Sequence, residues 1–359
     1  MNPTHPPVHP VLPRCLRRWV RAWAWAWAFF VVAPWVQAQT VGDDVPAQAR
    51  EVRSWLMRIH DAAGHRNFEG TFVVSGGGTV SSARIAHYCE GTSQFERSEA
   101  LVGQAREVLR RDDEVTTLWP ASRTAVIEQR SLAAQFPALL AAGADRIADH
   151  YEVSRMGVQR VAGREANVLT VRPRDPYRYG YRLWADQTSG LLLRADVLGL
   201  NSEVLETSAF SDVVIGVKAQ PDSVLLPMHH LQGYHVLRPT LTPTQLQAEG
   251  WQLRAPVAGF EQVSCVLRSL PAVGPSVGPV GGDRATSRVL QTIFSDGLAY
   301  VSVFIEPFNP SRHTRAVESA VGPTQTLTLQ QGDWWVTVLG DVPPATLRAF
   351  AAGLARTQK

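Results

Sequence analysis

Few side chains in this sequence have the type and spacing that chemistry requires. His229 and His230 are adjacent; on a strand they point to opposite faces and on a helix they diverge by about 100°, so neither case puts two imidazoles on one metal. His60 and His65 are separated by Gly64, which breaks the helix between them. His87 and Cys89 share one face of a predicted strand, but no third or fourth ligand follows nearby. Structural zinc wants four, so ordinary strand packing is the expectation there. The sequence has no nucleophile elbow, phosphate-binding loop or His-Glu-x-x-His helix. Gly76, Gly77 and Gly78 fall between two strands and predict a hairpin tip, and Asp112-Asp113 predicts a solvated turn. No catalytic, cofactor-binding or metal-binding set emerges, and the missing nucleophile-base pair argues against a secreted hydrolase, so no enzyme is expected.

One run has the character of a binding surface: Arg172-Pro173-Arg174-Asp175-Pro176-Tyr177-Arg178-Tyr179-Gly180-Tyr181-Arg182-Leu183-Trp184. As a strand it puts Tyr177, Tyr179, Tyr181 and Leu183 on one face and Arg178, Arg182 and Trp184 on the other. The first face suits an apolar groove. The second offers guanidinium groups to an acidic peptide or a phosphorylated lipid head. Arg174, Tyr177, Arg178, Tyr179, Tyr181, Arg182 and Trp184 are therefore the candidate partner-binding residues, although a half-buried strand with a solvated Arg face gives the same pattern. Trp334-Trp335 likewise sends one ring to each face.

The elements that must position these residues are mostly short strands. Val52, Trp55, Leu56, Ile59 and Ala63 recur at helical spacing ahead of Gly64, predicting an amphipathic helix over 47–63. Strands are predicted at 71–75, 80–88, 94–99, 105–111, 114–119 and 122–130, then at 151–155, 159–161, 165–172, 177–185, 191–198 and 204–213. A helix capped by Ser131 and bent near Pro137 separates the two groups. Short meandering strands with few crossover helices imply an antiparallel sheet. Residues 216–234 turn irregular, with Pro221 and Pro227, and predict a linker between a first domain at 47–215 and a smaller second domain at 235–357. In the second, two β-branched and aromatic segments over 290–307 flank Ser295-Asp296-Gly297, a hairpin signal, and a helix is predicted from Ala345 to Leu354.

The first 38 residues predict a destination. Four Arg precede the apolar run 22–32, and Val36-Gln37-Ala38 offers small residues at a cleavage point, as in a secretory signal peptide cut before Gln39. The run is short of the about 20 residues that span a bilayer, and Pro34 interrupts it. Export to the periplasm is the expectation. The leader holds four Arg and no acid, which leaves 31 basic against 32 acidic residues beyond it, so a nucleic-acid partner loses its support. Cys89 and Cys265 remain, one per domain, and two separately buried thiols are expected.

Several runs, in order along the chain, resemble the MucB/RseB family of periplasmic regulators of the sigma-E envelope-stress response. They are Asn67-Phe68-Glu69-Gly70-Thr71-Phe72-Val73-Val74, residues 104–110, 113–116, 177–186 and 188–194, the hairpin at 290–307, Gly332-Asp333-Trp334-Trp335 with the strand after it, and Val342-Pro343-Pro344. The chain departs from the family at its Gly-rich tip 76–78 and in a Gly/Pro/Val stretch at 271–282. The resemblance implies an α+β protein: a half-open antiparallel β-barrel with helices, similar to the carriers LolA and LolB, followed by a small α/β domain. It implies a negative regulator that binds the periplasmic segment of a membrane anti-sigma factor, protects it from regulated proteolysis, and releases it on binding lipopolysaccharide or another acylated lipid. It implies no cofactor. A lipid or lipoprotein carrier is the alternative, and a homo-oligomer is left open.

Overall fold

The structure, a computed structural model, describes residues 44–129, 147, 149–270 and 287–357. The leader, the helix expected after Ser131 and the stretch 271–282 lie outside these residues. The described chain opens on α1 (Asp44–His65), whose Leu56, Ile59, Ala62 and Ala63 are buried at the spacing of one helical face. Among the described residues no helix is long and apolar enough to cross a membrane.

Eleven strands follow in the meander that the alternation implies: β1 (Phe68–Gly76), β2 (Thr79–Glu90), β3 (Ser93–Ala100), β4 (Glu107–Arg111), β5 (Glu114–Trp119), β6 (Thr124–Gln129), β7 (Tyr151–Val161), β8 (Arg164–Pro173), β9 (Gly180–Asp186), β10 (Leu192–Leu198) and β11 (Val204–Ile215). With β12 (His235–Leu237) they form one sheet in the order β12-β6-β5-β4-β3-β2-β1-β11-β10-β9-β8-β7. Its edge strands do not pair with each other, so it stays open. All its pairs are antiparallel except β12 with β6. Leu56 and Ile59 of α1 pack on Tyr151, Val153, Leu169, Val171, Tyr181 and Leu183, which line one face of β7 to β9.

Three differences from the sequence expectation have physical causes. The two strands expected at 151–155 and 159–161 are one, β7, because the pairing shifts between Arg155 and Gly157, and Gly157 takes a φ of 104° that a bulge demands. The strand expected from Tyr177 starts only at Gly180, because an Asp175 carboxylate oxygen accepts the Tyr177 N–H at 2.9 Å and holds 175–177 in a turn. Third, the irregular segment 216–234 holds a helix, α2 (Asp222–His229), which buries Val224 and Met228 against Tyr88, Phe95, Leu109 and Leu118. Its prolines read as breakers, yet Pro221 sits at the helix start, where no N–H is required. Pro227 frees the Ser223 carbonyl four residues back, and the Arg97 guanidinium donates to it at 3.3 Å.

The second unit is a sheet of β13 (Thr240–Pro243), β15 (Glu261–Leu270), β16 (Ser287–Ser295), β17 (Tyr300–Pro307), β18 (Val317–Val321), β19 (Thr324–Gln331) and β20 (Trp334–Gly340), in the order β13-β15-β16-β17-β20-β19-β18. A small ladder of β14 (Trp251–Leu253) and β21 (Leu354–Arg356) closes one side. Helix α3 (Pro344–Gly353) lays Leu347 and Phe350 on Phe260, Phe294, Val301, Val336 and Val338.

Candidate functional site

The candidate run around Arg178 lies where the two units meet, and most of it faces inward. Arg178 has no exposed surface. Its Nε donates to an Asp296 carboxylate oxygen at 2.6 Å, and its other nitrogens bond to Asp175 and to the Ala258 carbonyl. The guanidinium also lies 4.8 Å from the centre of the Phe260 ring. Gly259 takes a φ of 83°, and a Cβ there would overlap His150 and Arg178, so only glycine lets this loop close over the guanidinium.

Asp296 is equally buried and uses both oxygens. One accepts the Leu298 and Ala299 N–H groups at 2.9 and 2.8 Å, which shapes the β16–β17 turn. The other accepts Arg178 and the Tyr151 hydroxyl, the latter at 2.8 Å. Burial first, then the neighbouring carboxylate, hold the Tyr151 phenol well above its ordinary pKa, so it stays a donor. Leu298, at the tip of the same hairpin, enters the core under α1. The hairpin expected at 290–307 is present, and its turn residue also anchors one unit to the other. Sequence alone missed Asp296. Its Ser-Asp-Gly setting accounts for it fully as a turn former, and the second oxygen leaves no trace in the pattern.

The other candidates divide. Tyr179, Tyr181 and Trp184 are buried. Tyr179 accepts a hydrogen bond from Gln325 of the second unit at 3.3 Å, and Tyr181 packs in the core beneath α1. Trp184 donates to Gln159 at 2.9 Å and carries the Arg194 guanidinium 4.4 Å above its ring. Tyr177 is partly exposed, and its carbonyl accepts the Thr346 hydroxyl at 2.7 Å. Arg174 is exposed, and Arg182, half-buried, lies 6.0 Å from the Trp184 ring centre. The tyrosine face is thus packed core and interface, and the guanidinium groups of the run still open to solvent are Arg172 and Arg174, exposed, and Arg182, half-buried. A further ion pair, Arg268 with Glu128 of β6, also links the two units.

His87 and Cys89 serve the fold. The His87 Nδ1 donates to the Arg66 carbonyl at 2.9 Å and its ring stacks 5.2 Å from Phe68, while the Cys89 thiol donates to the Gly64 carbonyl. Cys89 and Cys265 form no disulfide; Cys265 is buried but Cys89 only half-buried, less than expected. Burial pushes His87 down from 6.5 to about 4. A histidine that resists protonation when folded contributes stability that is complete above pH 6.5 and is lost as pH falls towards 4, about 3 kcal/mol in all. Its ring resonances should titrate near 4 by NMR; a midpoint near 6.5 would show the side chain to be solvated. The Trp334-Trp335 pair splits as expected: Trp335 stacks on His313 at 4.8 Å, and Trp334 meets Trp251 and Arg356.

The chain was compared with known proteins. Residues 51–228 match the model of the MucB/RseB N-terminal domain and residues 245–355 that of the MucB/RseB C-terminal domain. It is 29% identical over 316 residues to the sigma factor AlgU regulatory protein MucB of Pseudomonas aeruginosa, covering 86% of this chain and 93% of the relative. To the sigma-E factor regulatory protein RseB of Escherichia coli it is 24% identical over 305 residues, 83% of this chain and 89% of the relative. Among solved structures, the Pseudomonas aeruginosa MucA/MucB complex has a chain similar to this one at a TM-score of 0.64 and 28% identity, covering 86% of this chain and all of that one. MucB in complex with the periplasmic part of MucA gives a TM-score of 0.62 at 28% identity, with the same coverage. With both family models matched across both units, the chain belongs to the MucB/RseB family.

Proposed function

We propose that this protein is exported to the periplasm, binds the periplasmic segment of a membrane anti-sigma factor through both units, and shields that segment from regulated proteolysis, so restraining a sigma-E-type response. The observation that carries this is the likeness, through both units, to a MucB chain whose solved structure is a complex with MucA. A lipid carrier needs an open apolar face and no second unit, and here α1 covers the face bearing Tyr181 and Leu183. Retention on the immobilised mature chain should recover an anti-sigma factor from envelope extract, identified by mass spectrometry. Recovery of lipoproteins alone would favour the carrier.

In the finer form of this proposal an acylated anionic lipid such as lipopolysaccharide triggers release. With Arg178 committed to Asp296, Arg172, Arg174 and Arg182 are the guanidinium groups of the candidate run available to a phosphate. The acyl chain enters only if α1 yields, which gives the lipid the preference for one conformation that release requires. Titrating the complex with lipopolysaccharide should free the anti-sigma segment in proportion to lipid bound. Persistence of the complex at saturation counts against this form.

A further inference from the structure

We propose that the end of the twelve-stranded sheet that meets the second unit is a docking surface for an extended peptide carrying Lys or Arg between aliphatic residues. The inference rests on the functional reading above and names the chemistry of the segment recognised.

Strand pairing brings three connections to this end: the β1–β2 tip, the β3–β4 loop and the β10–β11 turn. They expose Val80, Leu101, Val102, Leu200 and Val204, and the β18–β19 tip of the second unit adds Val321. Val80 and Val321, beside the two tips, are 62% and 66% exposed. The two tips touch. A Cβ on Gly77 would come within 2.6 Å of the Gly322 backbone nitrogen, and one on Gly322 within 3.7 Å of the Leu205 carbonyl oxygen. The exposed aliphatics therefore flank a junction that already brings both units together.

Charge decides what lies against them. Glu206 of β11 and Asp341, just after β20, meet at this junction, and Glu203, Tyr300, Tyr179 and Tyr181 are the titratable groups around them. Burial raises both carboxyls, and Asp341 raises Glu206 further. Ser208 donates to Glu206 at 3.2 Å and Thr324 to Asp341 at 2.5 Å. Among the described residues no Lys, Arg or His pairs with either acid. Two desolvated carboxylates without a counter-ion are costly, and a cation from a partner offsets that cost. The same charges repel an anionic lipid surface. A basic peptide with aliphatic neighbours satisfies both the exposed valines and the acids, and a strand-like segment would present them alternately.

The test places a photo-crosslinking residue at Val204 and at Val321 in the full mature chain, bound to the anti-sigma factor captured from envelope extract. Both positions should capture a stretch of the partner with Lys or Arg beside the attachment point. Glu206→Gln with Asp341→Asn should weaken binding about tenfold, while the urea midpoint of the free protein stays level or rises. Affinity should also fall on acidification at pH values where ordinary carboxylates stay charged. If the complex forms but a probe at Val158, on the far edge strand β7, captures the partner and those at Val204 and Val321 do not, the surface is misassigned and the functional reading survives. Wild-type affinity in the double variant likewise overturns the charge assignment. Failure to capture any anti-sigma factor removes the functional reading, and this inference with it.

Discussion

Asp296→Ala is expected to destabilise the protein by about 3–5 kcal/mol, because it removes one of the two carboxylates that hold the wholly buried Arg178 guanidinium, leaving Asp175, and takes away the acceptor of the buried Tyr151 hydroxyl. Part of that loss belongs to the turn, since the same side chain accepts the Leu298 and Ala299 N–H groups. Asp296→Asn separates the two: the amide oxygen can still accept those N–H groups, while the charge facing Arg178 disappears. A urea midpoint for Asp296→Asn close to that of Asp296→Ala assigns the loss to the ion pair, and one close to wild type assigns it to the turn. The double change Arg178→Met with Asp296→Asn should recover the part of the loss that belongs to the pair, because the amide oxygen still accepts the turn N–H groups and no buried guanidinium is left facing a neutral partner. Equal instability of the double variant would mean that the pair holds the units in register in a way packing cannot replace.

Phe350→Ala is expected to cost about 3–5 kcal/mol through the cavity it opens in the second unit. The ring is 1% exposed, with Phe260 at 5.6 Å and Phe294 at 5.1 Å between ring centres. Phe260 also faces Arg178, so the damage should reach the junction. Limited proteolysis should cut the second unit of this variant before the first, and affinity for the anti-sigma segment should drop if both units grip it. Unchanged affinity with a destabilised second unit would confine the grip to the first.

Much of the architecture was legible because its signals are local. Alternation located the strands, the Leu56, Ile59 and Ala63 spacing located α1, and Ser295-Asp296-Gly297 located the hairpin. Local signals failed where a distant residue decides the outcome. Pro227 looks like a helix breaker until Arg97 supplies a donor for the freed carbonyl. Arg178 looks like an outward strand residue until its partner, 118 positions away, draws it inside. The tyrosine face at 179 and 181 reads as a groove because burial under a helix and burial under a ligand demand the same side chains. Of the face expected to point outward, Arg182 is half-buried and Trp184 is buried, and Glu206 with Asp341 carried no signal because each is an ordinary acid in its own strand or turn.

The central claim, that this chain shields an anti-sigma factor, is tested most directly by following cleavage of the anti-sigma periplasmic segment in envelope extract as purified mature protein is added. Cleavage should slow in proportion to the complex formed and stop when the segment is saturated. Cleavage at an unchanged rate, with the segment demonstrably bound, would contradict it.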